Sequence, residues 1–408
     1  NKLINRMHNG MIKVVTGIRR SGKSYLLFTI FKDYLLSEGV DEDHIISIEL
    51  DRLENKKYRE PYMILEQIKT QIIDSKDYYI FLDEVQLLDE FEDVLNSLLH
   101  IKNVDVYVTG SNSKFLSKDI ITEFRGRGDE VHVYPISFRE YMTVFNGDKY
   151  EGWSSYVRFG GLPLTVTMNS DEQRVEYLTR LFEETYIKDI IERNHIEKKQ
   201  ELNDLINVLA SGIGSLTNPS KIVATFHSAI QSDISLNTVR SYIEHLEDAF
   251  IISEANRYDV KGRKYIGTPL KYYFEDVGLR NARLGFRQVE ETHLMENIIY
   301  NELRVRGFSV DVGVVMKRNR TEAGVQEKKQ LEIDFIANQG SRRYYIQSAF
   351  SIPDEEKREQ EKAPLINVGD SFKKIIIVKD VVKPWHDDDG ILTISLYDFL
   401  LDEKSLEL

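Results

Sequence analysis

The first third of the chain alternates short apolar runs with amphipathic stretches. Short continuous apolar runs bounded by turn residues predict buried strands, and apolar positions that repeat at a helical spacing predict helices. This alternation is typical of an α/β fold, in which helices cover a parallel sheet and ligand sites lie at the strand ends. We predict strands at 11–16, 44–50, 78–82, 104–109 and 131–136, and helices at 23–38, 63–73 and 90–100.

Beyond Phe145 the pattern becomes mostly helical. The run Gly160–Pro163 breaks it, and two later apolar segments joined by the turn 261–264 indicate a two-stranded ribbon. Three helices followed by a ribbon predict a winged helix, although a small helical packing module without DNA contact fits the same pattern. The three helices are expected at 202–210, 220–228 and 236–250, after a long charged helix at 174–193, and the ribbon strands at 251–258 and 265–274.

The last part of the chain returns to mixed helix and strand, which predicts a second α/β domain. A polar, basic stretch at 317–329 is typical of a turn between strands. We therefore divide the chain into three domains, 1–165, 166–284 and 285–408. The third is expected to contain helices at 290–306, 354–367 and from 396, and strands at 308–315, 332–337, 343–349 and 373–378.

Composition narrows the classes of protein. The 408 residues include no cysteine, which excludes disulfides, cysteine-bound zinc and a thiol nucleophile. No apolar run is long enough to cross a membrane and the stretch 1–10 is polar, so we expect a cytoplasmic protein without membrane contact. The net charge of −13 opposes binding of nucleic acid over the whole surface, and DNA contact would need a local basic patch.

A glycine-rich motif follows the first predicted strand and opens the first predicted helix. The residues Gly17-x4-Gly22-Lys23-Ser24 match the phosphate-binding P-loop in this context. Glycines let backbone N–H groups turn towards phosphate, Lys23 reaches the β- and γ-phosphates, and the Ser24 hydroxyl binds Mg²⁺. We therefore expect ATP and Mg²⁺ as cofactors. The residues expected to contact the nucleotide are Gly17, Arg20, Ser21, Gly22, Lys23, Ser24 and Tyr25.

The predicted strand at 78–82 ends in two acids, Asp83 and Glu84. Asp83 is expected to hold Mg²⁺ through water, and Glu84 to orient and deprotonate the attacking water as general base. A solvated strand end with incidental acids is the alternative. Because a kinase needs no acid that activates water, the adjacent glutamate favours hydrolysis over phosphorylation of a small molecule.

The segment Gly110–Ser113 follows the next strand, at a position where a polar side chain can sense the γ-phosphate. We expect Ser111 or Asn112 to do so, without a firm choice between them. Asn112 is therefore counted among the expected catalytic residues. The same four residues also fit an ordinary turn.

Arginines between glycines precede the last predicted strand of this domain, in the segment Phe124–Gly128. An arginine held there can reach the γ-phosphate of a neighbouring subunit and stabilise transition-state charge, an effect worth about 10³-fold or more in turnover. Arg125 and Arg127 are both candidates. The alternative is that either arginine pairs with Asp129 or Glu130 on its own surface. If the finger hypothesis holds, the active enzyme is a homo-oligomer with shared sites.

Six segments of the chain resemble one known group of proteins. They are the P-loop, Asp83–Gln86, Tyr134–Tyr141, Gly160–Pro163, Glu332–Phe335 and Tyr345–Gln347. The group is the prokaryotic AAA-type P-loop ATPases that carry a C-terminal domain of unknown function, and the likeness spans nearly the whole chain. It implies an AAA+-like ATPase domain, a winged-helix-like domain and a C-terminal α/β domain. It also favours Arg127 over Arg125, because the family pattern has an arginine after a glycine.

In the third domain, Glu296, Asp334 and the strand around Gln347 resemble the frame of the PD-(D/E)xK nucleases. Those enzymes hold Mg²⁺ between acids on a helix and two strands, with a lysine near the attacking water. Here Gln347 and Ala349 stand where the acid and the lysine are expected, and neither can supply that chemistry. The resemblance implies a nuclease-like fold without nuclease activity, against the alternative of an active metal-dependent nuclease.

Basic and aromatic residues alternate on the predicted ribbon. Positive charge mixed with aromatic rings can hold phosphates and stack bases, so we expect this ribbon to contact DNA. An exposed ribbon is also often basic for solubility and edge protection alone. The expected DNA contacts are Arg257, Lys261, Arg263 and Lys264, near Lys271, Tyr258, Tyr265, Tyr272 and Tyr273, and the later turn adds Lys317, Arg318, Arg320, Lys328 and Lys329.

The sequence as a whole predicts a Mg²⁺-dependent ATP hydrolase of the AAA+ type. We expect a homo-oligomer, such as a hexameric ring, that couples ATP hydrolysis to the binding or remodelling of DNA. The alternative is a nucleotide-controlled switch or scaffold that acts on a protein partner without DNA.

Overall fold

The computed structural model describes residues 2–110, 127–320 and 326–408. The chain forms two compact units. The first consists of Asn1–Pro135 with Glu247–Phe250, and the second of Ile136–Leu246 with Ile251–Leu408. Within the described ranges, no helix is both long enough and apolar enough to cross a membrane.

The first unit contains a parallel sheet of five strands with apolar clusters on both faces. On one central strand, Ile80 and Leu82 pack in one cluster, and Tyr79 and Phe81 pack in the other. A sheet covered on both faces needs continuous apolar strands, which is the pattern of this sequence. The strands are β1 (Ile12–Thr16), β2 (Ile45–Glu49), β3 (Tyr78–Asp83), β4 (Val104–Thr109) and β5 (Gly128–His132), in the order β2-β3-β4-β1-β5.

The helices of this unit begin at local signals in the sequence. The Glu60 side chain accepts a hydrogen bond from the Met63 backbone N–H at 2.8 Å, and Pro61 occupies the first helical position. The helix after the P-loop continues through a π-helical stretch. The segments are Lys23–Tyr25, Leu26–Phe31 (π-helical), Lys32–Ser37, Pro61–Gln71 and Phe91–Leu99.

The predicted elements of the first unit are found close to their expected positions, except the last strand. That strand was expected at 131–136 and lies at Gly128–His132, where it pairs along the whole of β1. An edge strand is half-exposed, so the polar residues Asp129 and Glu130 fit within it. The apolar run alone was therefore a poor guide to its limits.

The second unit combines helices with a mixed sheet of eight strands. One apolar cluster contains helical residues such as Trp153 and Leu294 together with strand residues such as Phe335 and Ile375. The strands are β6 (Ile252–Asp259), β7 (Lys264–Phe274), β8 (Ser309–Arg320), β9 (Gln326–Gln339), β10 (Arg342–Ala349), β11 (Lys373–Val378), β12 (Trp385–His386) and β13 (Leu392–Ser395), in the order β12-β13-β11-β10-β9-β8-β6-β7.

The helices of the second unit occupy its first half and then alternate with the strands. The first two begin with capping boxes, at Ser137 and Asp148. The helices are Phe138–Val144, Lys149–Phe159, Pro163–Val166, Asp171–Arg180, Lys188–Arg193, Lys199–Ser211, Pro219–Thr225, Leu236–Asp248, Val277–Arg283, Glu291–Val305, Glu355–Ile366 and Leu396–Leu401, with π-helical stretches at Leu181–Ile187 and Phe226–Ile230.

The unit boundary differs from the domain boundary predicted at 165. Residues such as Phe138, Tyr141 and Trp153 precede that position but pack in the apolar cluster of the second unit. The first unit therefore ends at Pro135. Amphipathic helices carry no mark of the core they join, which is why the sequence pattern alone missed this assignment.

The predicted ribbon is not a separate two-stranded wing. β6 and β7 pair with each other, but β6 also pairs in parallel with β8, from Arg257↔Val312 to Asp259↔Val314. The ribbon strands thus extend the sheet of the predicted third domain. This pairing joins segments far apart in the chain, and local periodicity does not report it.

The basic stretch predicted as a turn at 317–329 is strand for most of its length. β8 continues to Arg320 and β9 begins at Gln326, and the two pair antiparallel from Ser309↔Asn338 to Arg320↔Gln326. The turn prediction was therefore wrong for these residues. The strand residues at these positions are polar and lack the apolar alternation that marks a strand.

Candidate nucleotide-binding site

The loop after β1 needs glycine at two positions. Gly17 has φ +137°, and a Cβ there would lie 2.2 Å from the Val133 carbonyl oxygen. Gly22 has φ +97° and directly precedes the helix that begins at Lys23. Any other residue would clash or be strained at these places. The glycines therefore let the backbone turn tightly at the carboxyl end of β1, as the sequence predicted.

Lys23 is a buried cation at the centre of this loop. It is 5% exposed, and its Nζ donates to the carbonyl oxygens of Gly17 at 3.0 Å and Ile18 at 3.1 Å. Burial lowers the pKa of Lys23 to about 8, although the charges of Glu84 and Asp83 oppose the shift. A buried ammonium bonded to neutral carbonyls gains from any anion that reaches it.

The two residues predicted to hold Mg²⁺ lie next to each other. The Ser24 hydroxyl donates to Asp83 Oδ1 at 3.1 Å, and the Thr109 hydroxyl donates to the same oxygen. Burial raises the pKa of Asp83, and the hydrogen bonds from Thr109 and Ser24 oppose that shift. A hydroxyl and a carboxylate are the kind of oxygen ligands that Mg²⁺ takes, so this pair fits the ion.

Glu84 is held in an unusual backbone conformation at the end of β3. Its φ is +50°, and its N–H donates to the Thr109 hydroxyl oxygen at 3.1 Å. The Gln86 side-chain amide donates to a carboxylate oxygen of Glu84. A neighbouring amide thus orients the Glu84 carboxylate beside the P-loop, and its role as general base stays a prediction.

Two further acids beside Asp83 were not assigned any role by the sequence. Glu49 ends β2 in register with Asp83, and Asp51 follows shortly after it. Carboxylate oxygens of Glu49, Asp51 and Asp83 lie within 4.8 Å of one another. Asp51 closes a predicted strand in the sequence, but nothing local shows that β2 lies next to β3.

A cavity of about 310 Å³ lies between the P-loop and the acids that follow β2 and end β3. Its lining residues are Arg19, Arg20, Gly22, Lys23, Ser24, Tyr25, Asp51, Asp83 and Glu84. All the predicted nucleotide contacts except Gly17 and Ser21 are among them. Ser21 is 5% exposed, and its Oγ has no hydrogen-bond partner among the described atoms. Positive, hydroxyl and acidic groups converge in one cavity, which suits a phosphate chain with a metal ion.

Arg127 lies at the amino-terminal end of the parallel strands, whereas the P-loop lies at their carboxyl end. Its carbonyl oxygen accepts a hydrogen bond from Ile12 N–H at 2.8 Å, beside the start of β1, whereas the P-loop follows the end of β1. Of its two suggested partners, Asp129 binds Arg6 at 2.8 Å and Glu130 accepts from Thr16 at 2.6 Å. The Arg127 side chain is exposed. Ser111, Asn112 and Arg125 lie outside the described residues.

The predicted DNA-contacting residues separate into two groups. Lys261, Arg263 and Lys264 are exposed at the turn between β6 and β7. Arg257 is 4% exposed and Lys271 is 3% exposed, so neither reaches a surface ligand. Their burial corrects the prediction for Arg257, and its cause is the pairing of β6 with strands on both sides.

Comparisons with known proteins match two parts of the chain to family models. Residues 9–142 match the model of an AAA domain, and residues 150–290 match a domain of unknown function (DUF8612). An "uncharacterized protein" of Haemophilus influenzae is 32% identical over 406 residues, which cover 98% of this chain and 96% of the relative. The uncharacterized protein MJ1544 of Methanocaldococcus jannaschii is 27% identical over 368 residues, or 86% of this chain and 77% of the relative.

Solved structures give weaker likenesses. The Aeropyrum pernix Orc1 protein, solved in complex with DNA, covers 69% of this chain and 90% of its own at 13% identity and a TM-score of 0.28. Protein VC1899 from Vibrio cholerae covers 96% of both chains at 13% identity and a TM-score of 0.21. Scores this low support no conclusion about function. The near-complete match to the Haemophilus influenzae protein does show the family: this chain belongs with that protein, and it carries an AAA domain over residues 9–142.

Proposed function

We propose that this protein is a Mg²⁺-dependent ATP hydrolase of the AAA+ type. The observation that carries the proposal is the cavity where the buried Lys23 ammonium, the Ser24–Asp83 pair and Glu84 converge. Each group has a separate task in phosphoryl transfer to water, and the AAA domain match covers all of them.

Binding of the triphosphate rests on the loop and its lysine. Lys23 Nζ can exchange its bonds to the two carbonyl oxygens for bonds to phosphate oxygens, which carry full negative charge. Backbone N–H groups at the start of the helix that follows add partial positive charge. Arg19 and Arg20 line the same cavity and add further positive charge around the phosphates.

Mg²⁺ would be held by Ser24 and Asp83. The ion supplies neutralisation of phosphate charge when it is bound. Glu49 and Asp51 add carboxylates within reach of Asp83, and they can orient water molecules around the ion. The donor set consists entirely of oxygen atoms, which suits Mg²⁺ and Mn²⁺ better than softer metals.

The hydrolytic step is assigned to Glu84. Its carboxylate would accept a proton from the water that attacks the γ-phosphate, and Gln86 and Thr109 fix its position. Asn112 or Ser111 would sense the γ-phosphate. Arg127 would act on the nucleotide of a neighbouring subunit, because it lies at the opposite end of the strands from the P-loop of its own subunit. This role requires a homo-oligomer, such as a hexameric ring.

The test separates nucleotide binding from turnover. Glu84→Gln removes the base but keeps the shape and all binding groups, so it should bind ATP like the natural protein and release phosphate about 10²-fold to 10⁴-fold more slowly. Binding is measured by equilibrium dialysis with Mg²⁺ and ATP, and turnover by phosphate release. Asp43→Asn, an exposed acid outside the cavity, is the matched control. Unchanged turnover in Glu84→Gln would remove Glu84 as the base.

A nucleic-acid ligand is the second part of the proposal, and the exposed basic turn favours it. Lys261, Arg263 and Lys264 stand beside Tyr265, which is 63% exposed. Lys261 and Arg263 also line a cavity of about 600 Å³ together with Arg343 and Phe372. Cations beside exposed rings can hold a phosphate backbone and stack a base.

The DNA hypothesis is tested by stimulation of ATP hydrolysis. Single-stranded, duplex and forked DNA are each added to the natural protein and to a variant with Lys261→Ala, Arg263→Ala and Lys264→Ala. Several-fold stimulation that the triple variant loses supports DNA as the ligand. A Lys23-dependent rate that no DNA changes would favour the alternative, a nucleotide-controlled switch that acts on a protein partner.

A further inference from the structure

A buried lysine lies among three carboxylates in the second unit. Lys271 on β7 is 3% exposed. Its Nζ lies 2.9 Å from an oxygen of Glu296, 2.9 Å from an oxygen of Glu332 and 3.9 Å from an oxygen of Asp334. Glu296 belongs to the helix Glu291–Val305, and the other two acids belong to β9. One ammonium therefore connects a helix to two strands.

Neighbouring groups complete and enclose this cluster. The Tyr273 hydroxyl donates to Glu296 at 2.6 Å, and the Ser348 backbone N–H donates to Asp334 at 2.8 Å. Gly214 lies so close that a Cβ on it would be 3.2 Å from the Glu296 carboxylate. The acids are thus held by a phenol, an amide and the ammonium, with backbone packed against Glu296.

The three neighbouring acids stabilise the charged form of Lys271. Burial alone would lower the pKa of Lys271, but the charges of Glu296, Asp334 and Glu332 raise it well above the usual lysine value. Burial and the charge of Glu296 raise the pKa of Asp334. The surrounding acids therefore favour the charged form of Lys271, and burial together with the charge of Glu296 favours the protonated form of Asp334.

A divalent cation does not fit this arrangement. The nuclease resemblance would put Mg²⁺ between Glu296 and Asp334, where the Lys271 ammonium is bound. Ala349, which stands at the position expected for a catalytic lysine, packs in an apolar cluster, and Gln347 offers no charge. Among the described residues, these acids are not one of the groups whose carboxylate oxygens lie within 4.8 Å of one another.

We infer that Lys271 occupies the cation position of this cluster, so that Glu296, Glu332 and Asp334 form a metal-free structural centre of the second unit. A divalent ion would have to displace a buried ammonium that has three acidic neighbours. Removing the ammonium while keeping the acids should therefore create a metal site that the natural protein lacks. Lys271→Met makes this change, because methionine has a similar length and no charge.

The experiment counts bound Mn²⁺ in nucleotide-free protein by the loss of the free-ion signal in electron paramagnetic resonance. The natural protein, Glu296→Gln and Lys271→Met are compared, with circular dichroism to confirm folding. Any Mn²⁺ held near Asp83 in the first unit contributes equally to all three. We expect the same stoichiometry for the natural protein and Glu296→Gln, and one additional equivalent for Lys271→Met.

Two results would overturn the inference. One is a natural protein that binds one equivalent more than Glu296→Gln, because a metal would then use Glu296 despite the lysine. The other is a folded Lys271→Met that binds no more Mn²⁺ than the natural protein. If Lys271→Met does not fold, the comparison between the natural protein and Glu296→Gln decides alone, and equal stoichiometry supports the inference.

Discussion

Lys23 in the first unit and Lys271 in the second are both buried, and the two lysines are stabilised in opposite ways. Lys23 is 5% exposed and donates to two carbonyl oxygens, and burial lowers its pKa to about 8. Lys271 is 3% exposed and lies among three carboxylates that raise its pKa. Acids of the protein thus neutralise the charge of Lys271, whereas the charge of Lys23 is only partly neutralised.

This difference shows how burial and partners together separate a binding group from a structural one. A buried charge with matched partners inside the protein stabilises the native state once it is formed, and removing one partner is costly. A buried charge without matched partners costs stability until a ligand supplies the opposite charge. We therefore expect a bound phosphate to stabilise the charge of Lys23, whereas neighbouring acids already stabilise the charge of Lys271.

The largest expected effect is on ATP hydrolysis. Lys23→Met should slow phosphate release by about 10³-fold or more, because it removes the charge that faces the transferred phosphoryl group. Lys69→Met, an exposed lysine on the helix Pro61–Gln71, should keep the natural rate. Phosphate release at saturating ATP and Mg²⁺ measures both. Equal rates in the two variants would mean that Lys23 has no special role in hydrolysis.

A neighbouring subunit should add a second positive charge to the same phosphate. Arg127→Ala alone should lose about 10³-fold in turnover. Mixing Arg127→Ala subunits with Lys23→Met subunits should restore part of the activity, because some interfaces then combine an intact lysine with an intact arginine. Co-purification of untagged Arg127→Ala subunits with affinity-tagged Lys23→Met subunits confirms mixed assembly. A mixed oligomer without recovery would argue against shared sites.

In the second unit the expected effect is on stability. Lys271→Met should lower the free energy of unfolding by about 3–5 kcal/mol, because three acids lose their cation. Adding Glu296→Gln should cost less in this background than in the natural protein, with a coupling of about 0.5–3 kcal/mol. Denaturant titration of the natural protein, the two single variants and the double variant gives the coupling energy. Additive losses would mean that Lys271 and Glu296 do not act as a pair, and Lys221→Met is the exposed control.

The lowered pKa of Lys23 predicts two opposite pH trends. ATP affinity should fall as the pH rises through about 8, by at most about tenfold per pH unit, because the lysine loses its proton. The nucleotide-free protein should show the reverse, since the folded state binds this proton more weakly than the unfolded state. Burial of the charged Lys23 therefore lowers the free energy of unfolding below pH 8, and this loss of stability disappears between pH 8 and 10.5. Both trends should be absent in Lys23→Met.

The smallest expected effect concerns the acid beside the metal ligands. Asp51→Asn should raise the Mg²⁺ concentration needed for half-maximal hydrolysis by a few-fold, because it removes one carboxylate near Asp83 and leaves Ser24 in place. A Mg²⁺ titration of phosphate release measures the change, and Asp43→Asn again serves as the control. An unchanged Mg²⁺ requirement would show that Asp51 does not act on the ion.

The candidate nucleotide site could be located from the sequence because most of its residues are close together in the chain. The P-loop and the Asp83–Glu84 strand end are short segments whose chemistry depends on adjacent residues. Glu49 and Asp51 could not be assigned, because their role follows from the pairing of β2 with β3. The fold of the first unit was predictable for the same reason, since continuous apolar runs report buried parallel strands directly.

The second unit was harder to predict because its organisation is not local. Lys271 and Arg257 were expected on an exposed ribbon, since basic and aromatic residues alternate there. The pairing of β6 with β8 buries Arg257, and that pairing joins positions more than fifty residues apart. Lys271 on β7 is buried instead among acids from a helix and from β9. The site around Lys271 likewise combines a helix with two strands. The acids Glu296 and Asp334 were identified by resemblance, but their lysine partner was not.

We propose that the charge of Lys23 is stabilised by a bound ligand, whereas the charge of Lys271 is neutralised by acids of the protein. Thermal unfolding of nucleotide-free Lys23→Met and Lys271→Met tests it directly. We predict that Lys23→Met unfolds at the natural temperature or above, and that Lys271→Met unfolds roughly 10 °C lower. If Lys23→Met loses as much thermal stability as Lys271→Met, both lysines are structural and the account is contradicted.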